Sequence, residues 1–158
     1  MTPPLRRFTV EESVRFPEVD SYQVVWHGHY VLYCEVARNA LCAAFGLTPA
    51  EALAHGYKVP ITHFEVSVKR PARLDDRLAI SCLLRPNETA KLEMDYEVRR
   101  LPGRELLATG FTQQVLLNPS AELLLTLPAP VKTLVGRVLA WQRGELELPQ
   151  PRILPAGT

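Results

Sequence analysis

The sequence predicts an α+β domain in which an antiparallel β-sheet wraps around one long central helix. Three observations predict it. A single long segment in the first third repeats its apolar residues at helical spacing and is apolar around most of its circumference. The period then switches to two over four successive segments. Tight turns join those segments, and wrapping them around the helix buries a surface that is apolar nearly all round.

The elements follow in order. Phe8 to Val19 reads as an extended entry strand, with Pro17 marking a bend or an edge near its end. The helix runs from Gly28 to Phe45 through Tyr30, Tyr33, Ala37, Leu41 and Ala44, with Glu35, Arg38 and Asn39 forming a narrow polar stripe. Gly46 stops it. Thr48-Pro49-Ala50-Glu51 is a capping-box pattern with proline at the first helical position, opening a short second helix that ends at Gly56. Phe64, Val66 and Val68 alternate with polar residues in a half-buried strand that stops at Pro71. Leu78 to Leu84 is the next strand. After a turn at Asn87–Thr89, Leu92, Met94, Tyr96 and Val98 give the clearest alternation in the chain. Pro102-Gly103 turns into a long strand, Glu105 to Leu117, whose Gly110 marks a bulge or a close backbone approach. An apolar run at Leu123–Leu127 precedes a terminal helix from Val131 to Gln142. Residues 1–142 therefore read as one domain and 143–158 as a loosely held, proline-rich tail.

Composition narrows the function. A length of 158 residues, 47% of them hydrophobic and 22% charged, suits one globular domain. A formal net charge of +1 gives no electrostatic case for a nucleic-acid partner or a membrane surface. Cys34, Cys42 and Cys82 are odd in number and form no C-x-x-C pair, so neither a disulfide framework nor a zinc site is indicated, and a reducing compartment fits. No stretch has signal-peptide or membrane-span character, which predicts a soluble, cytoplasmic protein without membrane insertion. P-loop, dinucleotide-fold, H-E-x-x-H and G-x-S-x-G motifs are all absent.

Three segments carry a resemblance. Val14-Arg15-Phe16-Pro17-Glu18-Val19-Asp20, then Val24-Val25-Trp26-His27-Gly28-His29-Tyr30, then Glu35-Val36-Ala37-Arg38, in the element order above, resemble the 4-hydroxybenzoyl-CoA thioesterase family. The likeness is to its YbgC-like branch of short-chain and aromatic acyl-CoA thioesterases, and Arg70-Pro71-Ala72-Arg73-Leu74-Asp75-Asp76 resembles the same family's strand-to-turn signature. The resemblance implies a hot-dog fold and a homodimer or homotetramer with active sites shared between subunits. It also implies hydrolysis of a short-chain or aromatic acyl-CoA to the free acid and CoA. No cofactor is implied beyond the coenzyme A of the substrate. Non-catalytic acyl-thioester binding and an acyl-carrier-protein substrate are the alternative readings. Two positions depart from the family pattern: Gln23 stands where the family has Gly, and His29 where it often has Asn.

Thioester hydrolysis needs a group that attacks the carbonyl or activates water, together with donors for the oxyanion. Asp20 can supply the first as general base or as nucleophile, although an Asp in a loop also serves as a turn cap. The backbone amides of His27 and Gly28 stand at the helix start, where N–H groups lack intrahelical partners. The resemblance places the oxyanion donor at His27. Trp26 and Tyr30 are candidates to line or support the acyl site. Glu35 faces either the acyl pocket or the dimer interface, paired with Arg38. Lys69, Arg70 and Arg73, with Arg85 and Lys91, are candidates for the phosphates of coenzyme A.

Overall fold

The computed structural model describes residues 1–149. Five strands, β1 (Phe8–Ser13), β2 (Ile61–Val68), β3 (Arg77–Leu84), β4 (Lys91–Arg100) and β5 (Glu105–Val115), form one sheet with three helices, α1 (His29–Phe45), α2 (Pro49–Ala54) and α3 (Ala129–Gln142). Every pairing is antiparallel and the order is β1-β3-β4-β5-β2. This is the predicted sheet around one long helix. The entry strand is shorter than its sequence pattern implied: β1 stops at Ser13, and Pro17 sits in a single 3-10 turn, Phe16–Glu18.

Local chemistry sets the helix ends. Gly46 closes α1 at φ 77°, a left-handed conformation that glycine adopts without steric cost. At α2 the Thr48 hydroxyl accepts from the Glu51 amide at 3.2 Å while the Glu51 carboxylate accepts from the Thr48 amide at 3.0 Å, which is the capping box read from sequence.

The core lies between α1 and the inner face of the sheet. Leu92, Met94, Tyr96 and Val98 of β4 are buried there, as their alternation predicts, with Leu78, Ile80, Cys82 and Leu84 of β3. Tyr33, Cys34, Ala37 and Leu41 of α1 cover them. Gly110 is where the helix comes closest. A Cβ there would stand 3.0 Å from Cys34 Sγ and 3.4 Å from Tyr96 Cβ, so its role is close approach rather than a bulge. The bulge of β5 falls instead at Leu107, where Val98 pairs with Ala108 but Arg99 pairs with Leu106. The Leu107 carbonyl then accepts both the Lys69 and the Arg70 amide, at 2.7 and 3.0 Å. Helix α3 closes the other end: Trp141 packs on Phe8 and Phe45, and the buried Gln142 amide satisfies both backbone groups of Leu84 at 2.8 and 2.9 Å.

Strand β2 departs from its reading. Phe64 and Val68 remain 56% and 45% exposed, so the strand is not half buried in a single chain. Phe64 pairs with Thr112, which pairs with Met94, and this puts the apolar side of β2 on the inner face beyond the reach of α1. The flank of α1 is likewise uncovered at Leu32 and Val36.

Candidate active site

The segment from Val14 to Gly28 is held at both ends by residues 72–76. Val14 donates to Asp76 and accepts from Asp75, and Val25 donates to the Ala72 carbonyl at 2.9 Å. The Ala72 amide donates in turn to the buried Tyr30 hydroxyl at 3.0 Å. Tyr30 therefore braces the strand-to-turn signature against α1 from within the core. Asp76 Oδ2 accepts from the Arg73 amide and from Arg100, fixing that turn from below.

A buried carboxylate anchors the middle. Glu18 accepts from the Tyr33 hydroxyl at 2.7 Å and from the Arg15 amide and guanidinium at 3.0 and 2.8 Å, while its carbonyl accepts from the Trp26 amide. Burial alone would raise its pKa, but these three donors together outweigh burial and hold the carboxyl below its ordinary value. Burial, reinforced by the same carboxylate, pushes the Tyr33 phenol up, so it stays a donor. Sequence reasoning passed over Glu18; the available signal was the i,i+3 spacing from Arg15 across Pro17. Glu18→Gln is expected to lower stability at neutral pH by about 2 kcal/mol, the scale of hydrogen bonds to a charged group. Because the folded pKa lies below the unfolded one, the contribution is complete above the ordinary value of 4.5 and fades as pH falls through the lowered folded value. Urea melts from pH 7 down to pH 3 should show the wild-type advantage shrinking with acid; a constant difference would contradict it.

Asp20 stands at the tip that this anchor supports. Val19 and Val25 form a short bridge, the Asp20 amide donates to Val24, and the Gln23 amide donates to the Asp20 carbonyl, which makes a tight turn over 20–23. Gln23 lies at φ 63°, so this position does require the left-handed region, at a cost of roughly 1 kcal/mol for a side chain. Asp20 Oδ1 accepts from the Tyr22 amide at 2.8 Å, the turn-capping role. Its other carboxylate oxygen has no partner among the described residues. Both roles are open to one side chain.

The loop then enters α1. Among the described residues, neither the His27 nor the Gly28 amide has an acceptor, while the amides on either side, Trp26 and His29, donate to Glu18 and Trp26 carbonyls at 2.9 Å. The Trp26 ring lies over Gly28 and close to the His27 and His29 rings, at centroid distances of 4.8 and 5.8 Å. A Cβ on Gly28 would stand 2.1 Å from that ring, although its φ of −65° suits any residue. Gly28→Ala should therefore unseat the half-exposed Trp26, read as a shift in tryptophan emission, with stability changed by less than about 1 kcal/mol; unchanged emission would place the ring elsewhere.

The other predicted residues lie apart. Glu35 Oε1 is 3.1 Å from Arg38 Nη2, with Arg38 buried and the Glu35 side chain 46% exposed, so the pair is buried on one side only. Arg38 leaves the polar stripe and turns inward toward Tyr96. The two border a cavity of about 700 Å³ that runs beneath the C-terminal half of α1 to α2, the ends of β3, β4 and β5, and α3. None of its lining residues comes from the Asp20 loop. Lys69, Arg70 and Arg73 are all exposed. Arg70 pairs with Glu105, whereas the Lys69 and Arg73 side chains have no ion pair among the described residues. Arg85 is committed to a bidentate contact with Asp95 at 2.6 Å and stacks on Phe111. Burial raises the thiols of Cys34, Cys42 and Cys82 to about 12, 11 and 12, which leaves them poor nucleophiles. No group of three or more His, Cys, Asp or Glu placed to hold a metal occurs among the described residues.

This architecture, with its loop and helix start, is that of a hot-dog protein, and the chain belongs to the Thioesterase-like superfamily, whose model matches residues 14–134. In sequence it is similar to the acyl-acyl carrier protein thioesterase ATL3 of Arabidopsis thaliana, 25% identical over 61% of this chain and 50% of that protein, so the chain spans half the length of that relative. In structure it is similar to Slr0204, a 1,4-dihydroxy-2-naphthoyl-CoA thioesterase from Synechocystis, with a TM-score of 0.75 at 23% identity over 83% of this chain and 96% of the other. It is also similar to SAV2348 from Staphylococcus aureus, solved in complex with CoA, with a TM-score of 0.78 at 13% identity over 99% and 96%.

Proposed function

We propose that this chain hydrolyses acyl-CoA thioesters as a homodimer, each site combining the Asp20 loop of one copy with the cavity of the other. The observation that carries the reading is one loop holding a carboxylate oxygen without a partner and two successive amides without acceptors among the described residues. A thioester carbonyl oxygen received by the His27 and Gly28 amides is polarised by donors that need no reorganisation, and the start of α1 adds the positive end of its dipole. The Asp20 carboxylate then either takes a proton from a water that attacks the carbonyl, or attacks the carbonyl itself to form an anhydride that water afterwards cleaves to the free acid. In both routes the C–S bond breaks and coenzyme A departs as the thiol, taking up a proton.

Two copies are needed because the loop and the cavity stand at different levels of one helix. Gly28 and Glu35 are seven residues apart, about 10 Å along the axis. An isologous pairing of β2 edges turns the helices antiparallel and brings each loop toward the other copy's Glu35 end. It also covers Phe64, Val68, Leu32 and Val36. A cytoplasmic setting suits the three unpaired thiols.

An acyl-carrier-protein thioester is the second reading, favoured by the likeness to ATL3. Free-thiol release from a panel of acyl-CoA esters tests the first. Turnover is expected, and replacing Lys69, Arg70 and Arg73 together by Ala should raise KM roughly tenfold by removing phosphate contacts. Coenzyme A esters that are bound but never cleaved would defeat the proposal, and unchanged KM would move the phosphate site elsewhere.

A further inference from the structure

We infer that the cavity beneath α1 is an acyl pocket for a long, linear aliphatic chain, which makes the substrate a long-chain fatty acyl thioester; this rests on the thioesterase reading. A cavity of about 700 Å³ lies within the size range of small-molecule sites, and its lining is mostly apolar. Six ring carbons fill an apolar cavity of about 150 Å³. Scaled by carbon number, a chain of about 16 carbons needs roughly 400 Å³, which fits here, whereas a benzoyl or butanoyl group leaves most of the space empty.

The walls are largely aliphatic. Leu41 of α1, Met94 of β4, and Leu134 and Val138 of α3 are aliphatic or thioether side chains that offer contact area to a flexible chain, while the rings of the lining, Tyr57 and His55, stand toward α2. One end is polar. Buried Arg38, held 3.1 Å from Glu35 Oε1, puts a fixed positive charge at that end, where it can receive an oxygen at the head of the chain. The acyl group thus runs from the Glu35–Arg38 end toward α3. This departs from the short-chain or aromatic class that the resemblance implies.

The test is kcat/KM across linear acyl-CoA esters from butanoyl to hexadecanoyl, with benzoyl-CoA alongside. Each buried methylene is worth about fourfold, so long esters should exceed butanoyl-CoA and benzoyl-CoA by at least about a hundredfold. Leu134→Trp fills the cavity from a half-buried position on α3, and Val135→Leu does so more gently. Each should reduce the hexadecanoyl-to-butanoyl ratio, by about tenfold or more for the tryptophan. A preference for butanoyl-CoA or benzoyl-CoA, or a ratio unmoved by both variants, would overturn the inference while leaving hydrolysis intact. If no ester is cleaved, hydrolysis fails and equilibrium dialysis of radiolabelled hexadecanoate decides the pocket. Binding weakened by Leu134→Trp upholds it, and no binding overturns it.

Discussion

Phe64→Glu is expected to split the protein into folded monomers and to remove essentially all turnover. Phe64 sits on edge strand β2, 56% exposed, on the inner face of the sheet whose β3 and β4 residues are buried. In the proposed dimer its ring enters the apolar seam with Val68 and with Leu32 and Val36 of α1. A carboxylate buried there without a partner costs several kcal/mol, and a symmetric interface meets it twice. The single chain already exposes this position to solvent, so its own fold should survive. Light scattering should report a monomer for the variant and a dimer for the wild type, with thiol release lost in parallel. A dimeric variant with wild-type turnover would move the interface; a monomer that kept turnover would show that one chain holds a whole site.

The second large effect belongs to Asp20. Asparagine keeps the size of the side chain and an oxygen for the Tyr22 amide, so Asp20→Asn preserves the turn over 20–23. Only the carboxylate is lost. A positioned acid-base group is worth about 10²–10⁴ in rate, so kcat should fall at least about a hundredfold while the fold and oligomer remain. The backbone donors of His27 and Gly28 and the cavity are untouched by this change, and KM should move little.

The helices and the inner strands were legible because their signals are local. Thr48 and Glu51 cap one another within a single turn, and the β4 alternation meets one continuous buried face. Alternation reports which side of a strand is apolar but not what covers it, and for that reason β2 read as half buried. Arg38 was assigned to the polar stripe by its charge, yet it lies one turn from both Cys34 and Cys42, the neighbours that mark the inward side of α1.

The Asp20 loop was placed by motif, whereas its support was not legible. Glu18 owes its burial to Tyr33, 15 residues away, and no period in the chain connects them. The cavity is assembled from both ends of the domain, α1 and α3 included, and a void leaves no mark on spacing. The turn at Gln23 was posed as a question by a single residue type, and φ 63° answers it.

Free-thiol release by the purified wild type and by Asp20→Asn, measured side by side on the same long-chain and short-chain acyl-CoA esters, tests the central claim most directly. The site described here predicts turnover by the wild type and a loss of at least about a hundredfold in the variant at unchanged oligomeric state. Equal rates in the two proteins would contradict it and reduce Asp20 to the cap of its turn.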